Sequence, residues 1–356
     1  MKILDDRKKA EKLDSKNMLG SLELLGAQIE QIWKSSDRFS LSADFKNVEN
    51  IVVLGMGGSA LGPHMVKSAY FDRLKFPMEI VNGYHLPSYV SERTLVIVSS
   101  YSGTTEEALI SGEEAKKIGA KIVVITSGGK LWEWAKKEGI SSLVFSVENN
   151  PCGSPRMGLG YSIAGQLIIL KKAGLLQITD EEIRELVGVI AKYNQQFGLD
   201  NSAPNNSAKQ IAVEIGDRSV WYAGAEHLAG NMHVAANQMN ENAKRFAGYF
   251  LIPELNHHLM EGMIKPNANP KNLLFILIES GLYDERVQKR FEITKSVLDK
   301  NKIKHVTYSC QEGNKLSQLG EMLVLSSYIS YYSALLNDID PTAIPFVDFF
   351  KEQLKK

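Results

Sequence analysis

The chain has little to bind it covalently: Cys152 and Cys310 are the only cysteines in 356 residues. No disulfide framework is expected, and a cytoplasmic setting is the natural expectation. An excess of charge of one sign is also missing, with 41 basic residues against 41 acidic ones. That balance gives no basic bias to argue for a nucleic-acid surface, so no nucleic-acid partner is expected. No apolar run reaches the roughly 18 residues of a membrane span, so no membrane partner is expected either. The opening residues, Met1 to Lys9, are charged and lack the apolar centre of a signal peptide. The seven histidines show no H-E-x-x-H pattern and no tight Cys/His spacing, which predicts no metal site.

What is present is ordinary in bulk, 44% hydrophobic and 23% charged, as in a globular protein of one large or two average domains. Its order along the chain is more telling. Leu19, Leu22, Leu25, Ile29, Ile32 and Trp33 recur at helical spacing and predict a helix over 16–35. Short apolar runs at 51–54, 78–82, 95–99, 121–125 and 143–146 then alternate with helical patterns near 58–71, 104–117 and 130–138. That rhythm predicts an α/β unit with a parallel sheet and helices on both faces. Residues 147–161 carry Pro151, Gly153, Pro155 and Gly158 and read as a loop. Helical patterns fill 161–196, and the polar stretch 201–207 reads as a domain joint. Strands at 220–224, 272–278 and 304–308 then alternate with helices at 226–243, 284–299 and 313–336, with a helical tail at 345–355. The expected organisation is a helical segment over 1–45, a first α/β unit over 46–155, helices and a linker over 156–207, a second unit over 208–340 and a tail over 341–356.

The most informative stretch follows the third strand. Ser99, Ser100, Ser102, Thr104 and Thr105 surround Tyr101 and Gly103 just before a helix. Free N–H groups and the positive end of a helix dipole favour an anion, and hydroxyl donors turn such a turn into a phosphate cradle. The plain alternative is that Ser and Thr only cap the helix. The first strand ends similarly, in Gly55-Met56-Gly57-Gly58-Ser59-Ala60, which fits the G-x-G-x-x-A dinucleotide fingerprint. A nicotinamide enzyme should place an acid after its second strand, and here that strand ends in Asn82-Gly83-Tyr84. A monophosphate held between the two turns accounts for both features better. The glycines could also serve only a tight turn and close helix packing.

Gly57-Gly58-Ser59 and Ser100-Tyr101-Ser102-Gly103-Thr104-Thr105 resemble the sugar isomerase (SIS) domain. Pro155-Arg156-Met157-Gly158 resembles the loop between two such domains in the bifunctional phosphoglucose/phosphomannose isomerase family. Asn240-Glu241-Asn242-Ala243-Lys244, followed by Pro253-Glu254-Leu255-Asn256-His257, resembles that family's catalytic segment. The resemblance spans roughly 20–351 and implies two doubly wound parallel-sheet SIS domains with flanking helices. It implies reversible isomerisation of glucose and mannose 6-phosphates to fructose 6-phosphate through a cis-enediolate, with no cofactor and no metal. A glucose-only isomerase and a non-catalytic sugar-phosphate sensor are the alternatives. The sensor would need the cradle but not Glu241, His257 or Arg156.

The resemblance also assigns roles. Gly57, Gly58, Ser59, Ser100, Ser102 and Thr105 hold the phosphate. Glu241 is the base that shuttles a proton between C2 and C1, a task suited to a carboxylate whose pKa burial has raised. Arg156 steadies the enediolate oxygen. His257 opens the ring and comes from the neighbouring subunit, which implies a homodimer. The family commonly has Asn after this histidine. Here His258 stands there and is open to share or orient the work. Lys351 corresponds to a C-terminal lysine near the ring, and Thr342 to a threonine that helps with mannose-type substrates.

Overall fold

Strands whose residues are apolar on both sides need cover on both faces. The computed structural model, which describes residues 2–354, provides it with two parallel sheets between helical layers. Met1, Lys355 and Lys356 lie outside the described residues.

The N-terminal segment forms α1 (Arg7–Leu13), α2 (Met18–Glu23) and α3 (Leu25–Lys34). The single helix expected over 16–35 is therefore two. Leu24 leaves helical geometry, with φ −91° and ψ 6°, and α3 then packs along the later helix that carries Val187 and Ile190. The first unit comprises β1 (Asn50–Leu54), α4 (Gly58–Ala69), β2 (Met78–Val81), β3 (Thr94–Ser100), α5 (Glu106–Ile118), β4 (Lys121–Thr126), α6 (Gly129–Lys137) and β5 (Ser141–Val144). Its sheet order is β2-β1-β3-β4-β5, with Leu54 beside Val81 on one side and Val98 on the other.

Successive strand residues point to opposite faces. Ile51, Val53, Ile97 and Ile125 accordingly join one apolar cluster, and Val52, Leu54, Val98 and Val124 join another with Ala108 and Leu131 of α5 and α6. The order of strands reverses between β1 and β3, where open α/β sheets place their ligand crevice. The two glycine- and hydroxyl-rich turns follow those two strands.

The chain continues through α7 (Leu159–Lys172), α8 (Asp180–Phe197) and α9 (Ser207–Ile215). The joint expected at 201–207 is short and tied down. Buried Asn206 donates to the carbonyls of Phe197 and Gly198, and buried Lys209 pairs with Asp5 at 2.9 Å. The second unit runs β6 (Ser219–Ala225), α10 (Ala229–Ala243), β7 (Ala247–Ile252), α11 (Leu255–His258), α12 (Asn269–Asn272), β8 (Leu273–Glu279), α13 (Glu285–Lys300), β9 (Lys304–Ser309), α14 (Lys315–Leu336) and α15 (Pro345–Gln353). Its order is β7-β6-β8-β9.

Strand β7 is absent from the expected elements. It is an edge strand, only partly buried, and its mark in the sequence is the short apolar run Tyr249-Phe250-Leu251-Ile252 between Gly248 and Pro253. Helix α14 is buried along nearly its whole length and is the shared spine, packing against α8, α9 and α10. Its one fully buried carboxylate, Glu321, accepts from Tyr308 Oη and from the backbone of Gln311 and Glu312. Helices α4 and α10 join the two units, with Gly230 N donating to Ser68 Oγ at 3.1 Å. Among the described residues no helix is long and apolar enough to cross a membrane.

Candidate active site

The turn after β1 and the turn after β3 are built as one object. Gly57 has φ +49° and ψ −129°, a conformation that only glycine adopts without strain. Gly58 opens α4, and a Cβ there would stand 2.6 Å from the Pro155 carbonyl carbon and 2.7 Å from Arg156 N. The glycine thus brings the Pro-Arg loop directly onto the helix N-terminus. Ser59 Oγ accepts from Tyr101 N at 2.8 Å, and Ser99 Oγ donates to Ser59 O at 3.1 Å.

Within the second turn, Gly103 N donates to Ser100 Oγ at 3.1 Å, and Ser100 Oγ pairs with Thr105 Oγ1 at 2.9 Å. Ser102 Oγ pairs with Thr104 Oγ1 at 2.9 Å and is exposed. Thr105 is the N-cap of α5, yet its side chain makes no capping bond to the helix. Its hydroxyl is turned toward Ser100 instead. Simple capping therefore does not account for this cluster, and the first-turn N–H groups of α5 have no cap side chain on them.

The loop carrying Arg156 is pinned from several sides. Gln28 of α3, fully buried, donates to Asn149 O and Met157 O and accepts from Gly160 N. Asn150 Nδ2 donates to Ser154 O at 2.9 Å and to Tyr101 Oη at 2.8 Å, which fastens the loop to the hydroxyl-rich turn. Arg156 itself is 3% exposed. Its Nε donates to Asn242 Oδ1 at 2.6 Å, and Nη2 donates to Pro341 O and Thr342 O at 3.1 and 3.0 Å. Nη1 stands 3.4 Å from Glu241 Oε2. Burial draws the guanidinium below its ordinary pKa, opposed chiefly by the Glu241 charge.

Glu241 lies in the last turn of α10, with about a third of its side chain open to solvent. Burial pushes its pKa above the ordinary carboxylate value, against the pull of Arg156, Lys351 and Lys244. Lys244 sits at the helix C-cap in the left-handed region, φ +49°, and its ammonium donates to Asn242 O at 3.2 Å and Asp340 O at 2.7 Å. Burial and the neighbouring Arg156 lower its pKa to about 8, while Asp340 and Glu241 act the other way. Arg156 and Lys244 together clamp the 340–342 turn. Thr342 is 5% exposed, and its Oγ1 has no hydrogen-bond partner among the described residues. Lys351, on α15, is exposed, and its charge reaches Glu241.

The structure gathers the cradle residues, Arg156, Glu241, Thr342 and Lys351 on one side of the molecule. It does not bring His257 there. The end of α10 lies at the N-terminal edge of the second sheet, where Arg245 donates to Arg218 O and Val220 N donates to Phe246 O. His257 follows the opposite edge, where Ile252 pairs with Ala225. A six-residue strand spans about 20 Å, which separates His257 from Glu241 of its own chain by a strand's length.

Residues 204–354 match the family of bacterial phospho-glucose isomerase C-terminal SIS domains, and residues 4–127 match the phosphoglucose isomerase family. A bifunctional phosphoglucose/phosphomannose isomerase of Caldicellulosiruptor bescii is 33% identical over 347 residues, spanning 95% of this chain and 98% of that protein. The protein of the same name from Aquifex aeolicus is 30% identical across 92% of this chain and 99% of its own. The chain belongs to the bifunctional phosphoglucose/phosphomannose isomerase family. It is accordingly an aldose–ketose isomerase. The solved structure of a hypothetical protein from Thermus thermophilus is similar over 98% of this chain and 93% of that one, with a TM-score of 0.73. At 17% identity that likeness speaks for the fold alone.

Set in this isomerase family, the cluster contains residues that motif reading passes over. Asn242 and Lys244 stand inside the Asn-Glu-Asn-Ala-Lys segment, but the motif gives them no task of their own. Gln28 and Asn150 lie outside every motif. The one signal for Gln28 is a polar residue on an otherwise apolar helix face between Leu25 and Ile32.

Proposed function

We propose that this isomerase converts both glucose 6-phosphate and mannose 6-phosphate reversibly to fructose 6-phosphate, in the cytoplasm, by proton transfer through a cis-enediolate without a metal or organic cofactor. The observation that carries the reading is the placement of Glu241 against a fully engaged, buried Arg156, whose loop rests on the Gly58 end of the cradle. Gly57, Gly58, Ser59, Ser100, Ser102 and Thr105 take the phosphate. Glu241, its basicity raised by burial, removes the proton at C2 and returns it at C1. The guanidinium of Arg156 faces the oxygen on which negative charge develops. Thr342 bears on the choice between the C2 epimers, and Lys351 acts near the ring.

His257 opens the pyranose ring of a second copy's substrate. What supports that role in trans is the strand's length separating it from Glu241 in its own chain. The functional unit is then a homodimer. In this reading the segments 46–155 and 208–340 are doubly wound SIS domains, flanked by 1–45, 156–207 and 341–356.

The test is direct. Purified protein is given each aldose 6-phosphate in deuterated water, with and without chelator. Fructose 6-phosphate from both sugars, deuterium entering at C1 or C2, and indifference to chelator are expected. Product from glucose 6-phosphate alone would narrow the activity. Loss of turnover with chelator would overturn the metal-independent route.

A further inference from the structure

Helix α15 has no buried residue. Phe346, Phe349 and Phe350 recur at helical spacing along it and are 87%, 61% and 62% exposed, and Leu354 just past its end is 68% exposed. Scattered exposed apolar residues are ordinary, but three phenylalanines in one stripe on a single helix are not. The stripe lies away from Lys351, whose charge faces Glu241 of the same chain.

A groove of about 650 Å³ lies elsewhere, between α4 of the first unit and the β7 edge of the second. Phe71, Tyr249, Leu251, Ile252 and Pro253 supply its apolar wall, and His64 and His233 meet edge to face in it at 4.6 Å. Burial, with His233 and Lys67 alongside, lowers the pKa of His64 to about 4, so this imidazole is neutral near pH 7. Lys67, Asp72, Glu226, Glu254 and Lys315 form the polar rim of the groove.

We propose that α15 is an exchange arm, seated by its phenylalanine stripe in this groove of a second copy of the chain. The proposal rests on the reading that His257 acts in trans. Under a two-fold axis, one protomer's His257 at the partner's Glu241 brings the partner's α15, which begins three residues after the Thr342 held by Arg156 beside that glutamate, up to the first protomer's His257. Pro253 and Glu254, which line the groove, lie four and three residues before His257. The arm and the groove are therefore brought together by the symmetry that the shared site already requires. Their own chain holds them apart, at opposite edges of the second sheet. From their exposure the three phenylalanines alone offer roughly 400 Å² per arm. Two arms in two grooves would bury on the order of 1,600 Å², the scale of a stable interface.

The experiment has two arms and a control. Phe350→Cys and Leu251→Cys are introduced together in a Cys310→Ser background, and the protein is treated with a short bismaleimide. Crosslinking between chains supports the exchange arm. A crosslink confined within one chain, or none while the dimeric mass persists, overturns it. Phe349→Asp with Phe350→Asp alters only exposed positions and should shift the dimer toward monomer by at least tenfold in dissociation constant, read by sedimentation. An unchanged constant also overturns the arm. The control mixes inactive Glu241→Gln and His257→Ala proteins. Activity regained on mixing, without the interchain crosslink, removes the arm and leaves His257 in trans standing. The crosslink without regained activity removes His257 in trans and keeps the arm.

Discussion

Replacing Arg156 by lysine keeps one positive charge and destroys a geometry. In the native chain three nitrogens of one planar group work at once. Nε serves Asn242 at 2.6 Å, Nη2 serves the Pro341 and Thr342 carbonyls at 3.1 and 3.0 Å, and Nη1 faces Glu241 at 3.4 Å. A single ammonium on a flexible stem cannot occupy those three positions together. If lysine keeps the carbonyls, the contact at the developing oxyanion is lost or lengthened. A hydrogen bond to a charged group is worth about 1.5–3 kcal/mol, or about 10–150-fold in rate. Because that charge appears only as the enediolate forms, the loss belongs to kcat, with KM little changed. If lysine turns toward Glu241 instead, the buried Asn242 and the Pro341 and Thr342 carbonyls lose their donor, at about 1–3 kcal/mol of stability for each group left bare. The assay measures fructose 6-phosphate formation from both aldoses, beside urea unfolding of the same preparation. Both sugars pass through one enediolate, so both kcat values should fall together. Unchanged kcat for both sugars in a folded variant would refute the role given to Arg156.

The cradle is tested by Ser102→Ala, which should weaken binding of a phosphorylated sugar-acid inhibitor by about 10–150-fold, each lost charge-assisted bond being worth about 1.5–3 kcal/mol. Calorimetry showing equal affinity would remove Ser102 from the phosphate. Glu241 must be ionised to act, and burial raises its pKa, so the acid limb of kcat/KM should lie above the ordinary carboxylate range. Lys244→Met removes a charge that favours the carboxylate and should move that limb to still higher pH; a limb that stays put would uncouple the two groups. Glu241→Gln should depress kcat about 10²–10⁴-fold for both aldoses, whereas loss on one sugar alone would mean separate bases. His257→Ala should harm cyclic substrate far more than open-chain analogues, and the same selective loss in His258→Ala instead would shift the assignment by one residue.

The chain's local chemistry determined a good deal without help. Strands such as Ile51–Leu54 and Leu95–Val98 are legible because both faces of a covered parallel sheet demand apolar residues, and the sequence then shows an unbroken run. The cradle turns are legible because anion binding at a helix N-terminus uses residues adjacent in sequence. Strand β7 shows only the four-residue run 249–252, and its place at the sheet edge comes from pairing with β6, a relation to a distant segment. The break at Leu24 was hidden for the same reason, as helical spacing records a face and not a bend. At the site, motif reading picked out Arg156 and Glu241 but could not say that they touch. That contact depends on α10 crossing α4, on Gln28 and Asn150 pinning the 147–158 loop, and on Asn242 receiving Nε. It also could not tell that Arg156 is buried rather than a surface cation, or that Lys244 holds the 340–342 turn. Residue type and short spacing carry chemistry that one turn of chain can build. Burial, electrostatic neighbours and the separation of His257 from Glu241 depend on segments that meet only when the two sheets and α14 have packed, and no local pattern encodes them.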